Sequence, residues 1–382
     1  MTVLVTGACG QLGCWLRLAA TGSAACSTSA ENYFSCGSSK NQFPASSNAP
    51  APAANPAPRF LFSDIAELSD ESRAMLRKLG GEGVDLTTKI LDITDLSAVR
   101  EIVRKEGVEA VINCAGFTNV DAAESQPETA ELLNVKAVDN LAIAMREVNG
   151  LLIHISTDYI FGGELQNSPI PEDAPAAPLG VYGRTKWEGE EVVRRVGCRH
   201  VILRTAWLFS EFGKNFVRTM LRLTAERPQI KVVNDQRGTP TYAADLARVI
   251  LQLLPAACST SHSHSGLDPE SQNNGSVFNY TNEGECTWYE FAREIQQARR
   301  EIPDQVGDDG GWDEIPGQAR DDYRGAADDR KCEILPCRSE DYPSPVRRPA
   351  YSVLDKTRIK AALGLEIPEW RESLRRCLAS LV

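Results

Sequence analysis

No run in this 382-residue chain approaches the roughly 18 consecutive apolar residues of a membrane-spanning helix, so no helical membrane segment is expected. Positive charge is in deficit: 41 Lys and Arg face 52 Asp and Glu, a formal net charge of −11. No basic stripe offsets it, which argues against nucleic-acid and anionic-membrane partners. Much of the excess falls in one acidic run, Asp304 to Asp329. Histidine is rare, with four in all, and none accompanies Cys332 and Cys337. That pair lacks the second pair of ligands a zinc site needs, and no metal centre is read from it. The eleven cysteines form no even, disulfide-like grid. Several, Cys114 and Cys377 among them, lie in apolar runs as small hydrophobes. The opening residues Met1–Gly7 carry no basic stretch and enter a strand directly, so no secretory leader is expected. The reading is a reduced, cytoplasmic protein.

What is present is the composition of a soluble globular protein, 42% apolar and 24% charged. The chain is long enough for one large or two modest domains. Thr2–Thr6 is an apolar, β-branched run, followed by Gly7-Ala-Cys-Gly10-Gln-Leu-Gly13 and a helix to about Leu18. Strand, glycine turn and helix suit the pyrophosphate of a dinucleotide. Glycine allows a tight turn, close backbone approach and helix–strand packing, with the anion at the helix N-terminus. Arg59–Asp64 reads as a second strand, ending in a carboxylate that fits either an adenosine ribose or a helix cap. Ile90–Asp95 adds a third, Ala110–Gly116 a fourth ending in small residues, Leu151–Ile155 a fifth and His200–Leu203 a sixth. Helical stretches alternate with them, predicting an α/β fold: a Rossmann-type doubly wound parallel sheet with ligands outside the strand carboxyl ends. The expected division is a dinucleotide-binding domain over 1–206 and a smaller C-terminal α/β substrate domain over 207–382, with a helix at 242–254 packing back on the first. Segments 20–58, 69–89, 258–276 and 302–331 break the alternation and read as insertions. The last two resemble translated palindromic repeats and, poor in apolar surface, are expected to be mobile loops.

The fifth strand delivers Ser156-Thr157-Asp158-Tyr159, and Tyr182-Gly-Arg-Thr-Lys186 opens the next helix. A Tyr and a Lys four residues apart share one helix face. The ammonium is expected to favour the phenolate and draw the Tyr182 pKa down toward working pH. Thr157 adds a hydroxyl, so the set can polarise and protonate a carbonyl. The spacing alone also fits an exposed helix pair. Convergence with the glycine turn and Gly116 at one sheet edge makes it a catalytic candidate.

Six segments, in this order, resemble the dTDP-4-dehydrorhamnose reductase family of extended short-chain dehydrogenases: Gly7–Gly13, Ile155–Phe161, Val181–Lys186, Leu203–Trp207, Asn234–Pro240 and Pro345–Pro349. The resemblance covers most of the chain outside the four insertions. It implies reduction of the 4-keto group of dTDP-4-dehydro-L-rhamnose to dTDP-L-rhamnose, for rhamnose and cell-surface polysaccharide biosynthesis, with NADPH, or alternatively NADH, as hydride donor. It implies catalysis by Thr157, Tyr182 and Lys186. Cofactor contacts would fall at Gly7, Gly10, Gln11, Leu12 and Gly13, at Asp64, Asp92 and Ile93 beside the adenosine, at Gly116, Phe117 and Thr118, and at Tyr182 and Lys186. Substrate contacts would be Thr157, Asp158, Trp207, Asn215, Arg347 and Arg348. On residue type alone, Trp207 fits a core aromatic equally well, and Arg347-Arg348 fits a solvated charge pair. The resemblance also allows a homodimer and Mg²⁺, with no ligand identifiable for the metal. Two other readings stay open: another nucleotide-sugar epimerase or reductase of the superfamily, and a non-catalytic reductase-like regulatory subunit.

Overall fold

A computed structural model describes residues 1–21, 57–162, 168–258, 275–302, 332–342 and 344–381. The expected loops at 20–58, 258–276 and 302–331 lie almost wholly outside the described residues. Seven strands form one sheet: β1 (Thr2–Thr6), β2 (Arg59–Asp64), β3 (Lys89–Ile90), β4 (Ala110–Asn113), β5 (Leu151–Thr157), β6 (Arg199–Thr205) and β7 (Gly275–Asn279). Their order is β7-β6-β5-β4-β1-β2-β3, and every pairing is parallel. The helices that bear on the site are α1 (Gln11–Ala20), α2 (Asp70–Gly80), α3 (Leu96–Glu106), α4 (Ala137–Glu147), α5 (Val181–Val196), α6 (Phe216–Glu226), α7 (Ala243–Cys258), α8 (Trp288–Glu301) and α9 (Trp370–Leu381).

The strands are continuous apolar runs because helices cover both faces. Val3 and Val5 of β1 pack into one core with α1 and α7, while Leu4 between them packs into a second with α3 and α4. The first core continues without a break from Val3 through Trp15 and Phe212 to Phe291 and Trp370. The region after residue 207 therefore shares its apolar interior with the sheet. Short two-stranded pairings complete that region, such as Gln229–Val233 with Glu333–Cys337.

Two sequence expectations need correction. Segment 69–89, read as an insertion, contains α2, the crossover helix between β2 and β3. Ser69 caps it by accepting from the Ser72 N–H, and Leu76 is buried against the face of α1. The helix hides in the sequence because Leu76 is its one fully buried residue. β7, in turn, begins inside the segment expected to be an insertion, 258–276, and has no counterpart among the six expected strands. Only Phe278 and Asn279 of this edge strand are buried, so its pattern is weak.

Candidate active site

The strand order reverses between β1 and β4, which is where an open parallel sheet forms its ligand crevice. A cavity of about 670 Å³ opens there. The glycine turn is its floor. Gly7 has φ +65°, and a Cβ on it would lie 2.6 Å from Ala115 N, at the exit of β4. A Cβ on Gly13 would lie 2.5 Å from both Gly7 O and Ala8 Cα. Both positions therefore exclude a side chain, one by backbone conformation and contact, the other by contact alone. α1 begins at Gly10 without a side-chain cap, and Gly10, Gln11 and Leu12 line the cavity. Its unpaired first-turn N–H groups make an anion site. The residues present fit the pyrophosphate of a nicotinamide dinucleotide.

The turn is braced from behind. Arg17 of α1, fully buried, donates to Ala8 O at 3.2 Å, Thr87 O at 2.8 Å and the Thr88 hydroxyl at 2.9 Å. Asp64 lines the cavity, and its oxygens accept from Cys9 N at 2.9 Å and Ile65 N at 2.7 Å. The carboxylate thus shapes the turn as well as facing the crevice. Asp92 and Ile93 line the same end, with Asp92 turning the chain through the N–H and hydroxyl of Thr94. Gly116 and Thr118 are on the wall, but Phe117 is not: Asn134 holds its N–H at 2.8 Å and its carbonyl at 3.1 Å. Asn134 sits in a π-helical turn, Leu132–Lys136, a distortion frequent at functional sites. No local sequence signal marks it.

Thr157, Tyr182 and Lys186 all line the cavity. α5 lies unusually close to its neighbours: a Cβ on Gly183 would be 2.2 Å from Tyr159 O, and one on Gly189 2.3 Å from Asn134 O. Lys186 Nζ donates to Ile155 O at 2.6 Å. The Thr157 hydroxyl donates to Asp158 Oδ1 at 3.0 Å, accepts from Tyr159 N at 3.2 Å, and is in hydrogen-bonding reach of Tyr182. The expected lowering of the Tyr182 pKa does not occur. Burial pushes it up to about 12, with the Thr157 hydrogen bond pulling back and the Asp158 charge pushing the same way as burial. Burial likewise draws Lys186 down to about 8, against the opposing charge of Glu190. The ammonium is engaged by the Ile155 carbonyl, and desolvation of the phenol outweighs any help from it.

Asp158 is buried, and burial raises its carboxyl to about 6. Hydrogen bonds from the Ser352 and Thr157 side chains hold it back, and Asp158 lines the cavity. Trp207 adopts φ +47°, rare for a non-glycine residue, and stacks on Trp288 with ring centres 3.5 Å apart and planes at 12°. Such strain persists only where the surroundings fix it, and here Trp288 and Gly238 do so. Both tryptophans line the cavity. Trp288 escapes a motif search, although the Thr287-x-x-Glu290 capping box marks the start of its helix. Arg348 reaches the wall and pairs with Asp121 at 3.0 Å, with its Nε buried and unpartnered. Its neighbour Arg347 is exposed and off the wall. Asn215 is off the wall too: it caps α6 and donates to Gln11 Oε1 at 3.1 Å, which places it beside the turn. The Mg²⁺ allowed by the resemblance finds no cluster of three or more His, Cys, Asp or Glu among the described residues.

Known proteins resemble this chain over nearly all of its length. Residues 66–382 match the family described as RmlD substrate binding domain. A dTDP-4-dehydrorhamnose reductase of Burkholderia thailandensis is 34% identical over 302 residues, spanning 79% of this chain and 92% of that protein. Among solved structures, a dTDP-4-dehydrorhamnose reductase of Clostridium acetobutylicum matches with a TM-score of 0.67 at 30% identity, covering 99% of this chain and 98% of the other. One from Bacillus anthracis, solved in complex with NADP, matches with a TM-score of 0.65 at 26% identity over 98% of each chain. At this identity and coverage, the chain belongs to the dTDP-4-dehydrorhamnose reductase family of NAD(P)H-dependent oxidoreductases.

Proposed function

We propose that the protein reduces the 4-keto group of dTDP-4-dehydro-L-rhamnose to dTDP-L-rhamnose in the cytoplasm, with NADPH as donor, for cell-surface polysaccharide synthesis. One observation carries the reading: Thr157, Tyr182 and Lys186 line the same cavity as the Gly7–Gly13 turn. The named activity of the relatives supports the substrate, and the NADP in the Bacillus anthracis structure supports the cofactor.

The chemistry a bound nicotinamide dinucleotide supplies is hydride transfer to the ketone carbon. The backbone at Gly10–Leu12 holds its pyrophosphate, and Lys186 binds the nicotinamide ribose. Tyr182, protonated throughout the neutral range with a pKa near 12, gives its proton to the ketone oxygen as charge grows there. Thr157 hydrogen-bonds the same oxygen and stabilises the developing alkoxide. Below about pH 8 Lys186 is an ammonium and adds a positive field. Asp158 on the cavity wall accepts from a sugar hydroxyl, Trp207 offers a flat face to the ring, and Arg348 suits the diphosphate.

The test is oxidation of the reduced cofactor, followed by absorbance and coupled to synthesis of the keto-sugar nucleotide in dTDP and UDP forms. Turnover of the dTDP form is expected, and Tyr182→Phe should slow it by roughly 10²–10⁴-fold in a folded protein. Cofactor binding without turnover of either sugar, or near-normal turnover by Tyr182→Phe, would refute the reading.

A further inference from the structure

Glu190 lies one helical turn beyond Lys186 on α5, fully buried and off the cavity wall. Four donors converge on its carboxylate. Oε1 accepts from the Ser156 hydroxyl at 2.6 Å and from Arg204 Nε at 3.0 Å. Oε2 accepts from Arg204 Nη2 and Arg194 Nη2, both at 2.8 Å. Arg204 is itself buried on β6, directly opposite Ser156 in the β5–β6 register. Three consecutive residues of β5 thus each meet a different turn of α5. The Ile155 carbonyl holds Lys186, the Ser156 hydroxyl is held by Glu190, and the Thr157 hydroxyl faces Tyr182.

Charge gives the arrangement a second role. The titratable groups facing Lys186 are Glu190 and Tyr182 on its own helix, Cys114 just past β4, and His154 on β5. Burial pushes the Cys114 thiol and the Tyr182 phenol up, and burial together with the Lys186 charge pushes His154 down. All three are neutral near pH 7. Glu190 carries the balancing negative charge; without it Lys186 and the buried Arg204 lose that carboxylate, while Arg194 keeps Glu191.

We propose that Glu190 is a positioning residue for ketone reduction: its carboxylate fixes the register of α5 on β5, and its charge keeps Lys186 an ammonium. The proposal rests on the reductase reading above. Its test is Glu190→Gln, which keeps the shape and removes the charge. Circular dichroism and a cooperative melt establish folding. The first readout is kcat against pH, and the second is the dissociation constant of the reduced nicotinamide cofactor against pH, from tryptophan fluorescence. Both alkaline limbs are expected to move to lower pH by about one unit or more, and Glu190→Asp should return them toward wild type. A folded Glu190→Gln protein with both limbs unmoved overturns the proposal. If that variant does not fold, Glu190→Gln/Arg204→Met removes both buried charges together, a change proteins often tolerate, and a smaller shift in the same direction is expected in it, because loss of the Arg204 charge partly offsets loss of Glu190. Wild-type limbs in the folded double variant, or failure of both variants to fold, overturn the proposal and leave the pair a purely structural element. Absence of keto-sugar turnover by the wild type refutes the reductase reading instead, while the cofactor-binding profile still reports on Glu190.

Discussion

Glu211 offers a quantitative check on the buried chemistry that joins the glycine turn to the C-terminal helices. Its side chain is 1% exposed. Oε1 accepts from the Tyr242 hydroxyl at 2.5 Å and Oε2 from Trp15 Nε1 at 2.9 Å, and Trp15 lies on α1. Burial dominates and raises the carboxyl from 4.5 to about 7, with the Tyr242 hydrogen bond foremost among those holding it back. The folded protein therefore keeps a proton on Glu211 that the unfolded chain has already lost. Stability from this group is fully present below about pH 4.5 and falls as pH rises to about 7, where the folded carboxyl ionises. At about 1.4 kcal/mol per pH unit across that interval, the loss approaches about 3.5 kcal/mol, roughly 3 kcal/mol of it above pH 5. Glu211→Gln keeps the volume and removes the ionisation, and the Tyr242 hydroxyl can turn to accept from the new amide.

The assay is the melting temperature of wild type and Glu211→Gln between pH 5 and pH 8. For a chain of 382 residues unfolding as one unit, about 3 kcal/mol corresponds to roughly 4 °C. The variant is expected to gain on the wild type by that much as pH rises. Asp158 is also raised by burial, and its contribution, of the same sign, is present in both proteins and cancels in the difference. A difference that stays constant within about 1 °C, or narrows with rising pH, refutes the assignment of a buried, protonated Glu211.

Two further outcomes follow from the site. Gly13→Ala sets a methyl 2.5 Å from the backbone of Gly7 and Ala8, which cannot rotate away, so α1 must lift off the turn. A loss of about 1–3 kcal/mol in denaturant unfolding and at least about tenfold weaker cofactor binding by fluorescence titration are expected. Asp158→Asn removes a carboxyl that titrates near 6. Wild-type kcat/KM should fall as pH drops through about 6 and the acceptor charge is lost, whereas the variant should be lower but flat there; a matching acid limb in both would sink the assignment.

What the sequence disclosed and what it hid divide along physical lines. β1, β4, β5 and β6 are legible because burial on both faces demands unbroken apolar runs. Gly7 and Gly13 are legible because no other residue fits their contacts. α2 is not, since a mostly solvated crossover helix needs little apolar surface, and β7 is not, because its outer residues are half-exposed. Within the site, Tyr182 and Lys186 could be read from spacing, while Asn134, Glu190 and Trp288 act through partners distant in sequence. Asn215 and Arg347 are the converse case. Their segments were legible as motifs, yet one side chain turns to cap a helix and the other to solvent. A motif names a segment; only packing decides where each side chain points.

The pKa of Tyr182 is where that distinction bears on mechanism. Helix spacing alone suggests a phenol made more acidic by Lys186, which would suit a base for alcohol oxidation as well as an acid for ketone reduction. The buried Tyr182, raised to about 12, is biased toward one of these roles. It holds its proton across the whole neutral range, so the acid form is always available. The alkoxide that forms when a ketone accepts hydride is a far stronger base than a phenolate, so proton transfer from Tyr182 remains downhill despite the raised pKa. In the reverse direction the same residue would first have to ionise in a buried site, with Asp158 opposing it. The Thr157 hydroxyl, shared between Asp158 and Tyr182, stabilises whichever oxygen carries the charge at the moment of transfer. Desolvation therefore keeps Tyr182 in the acid form that the proposed ketone reduction uses.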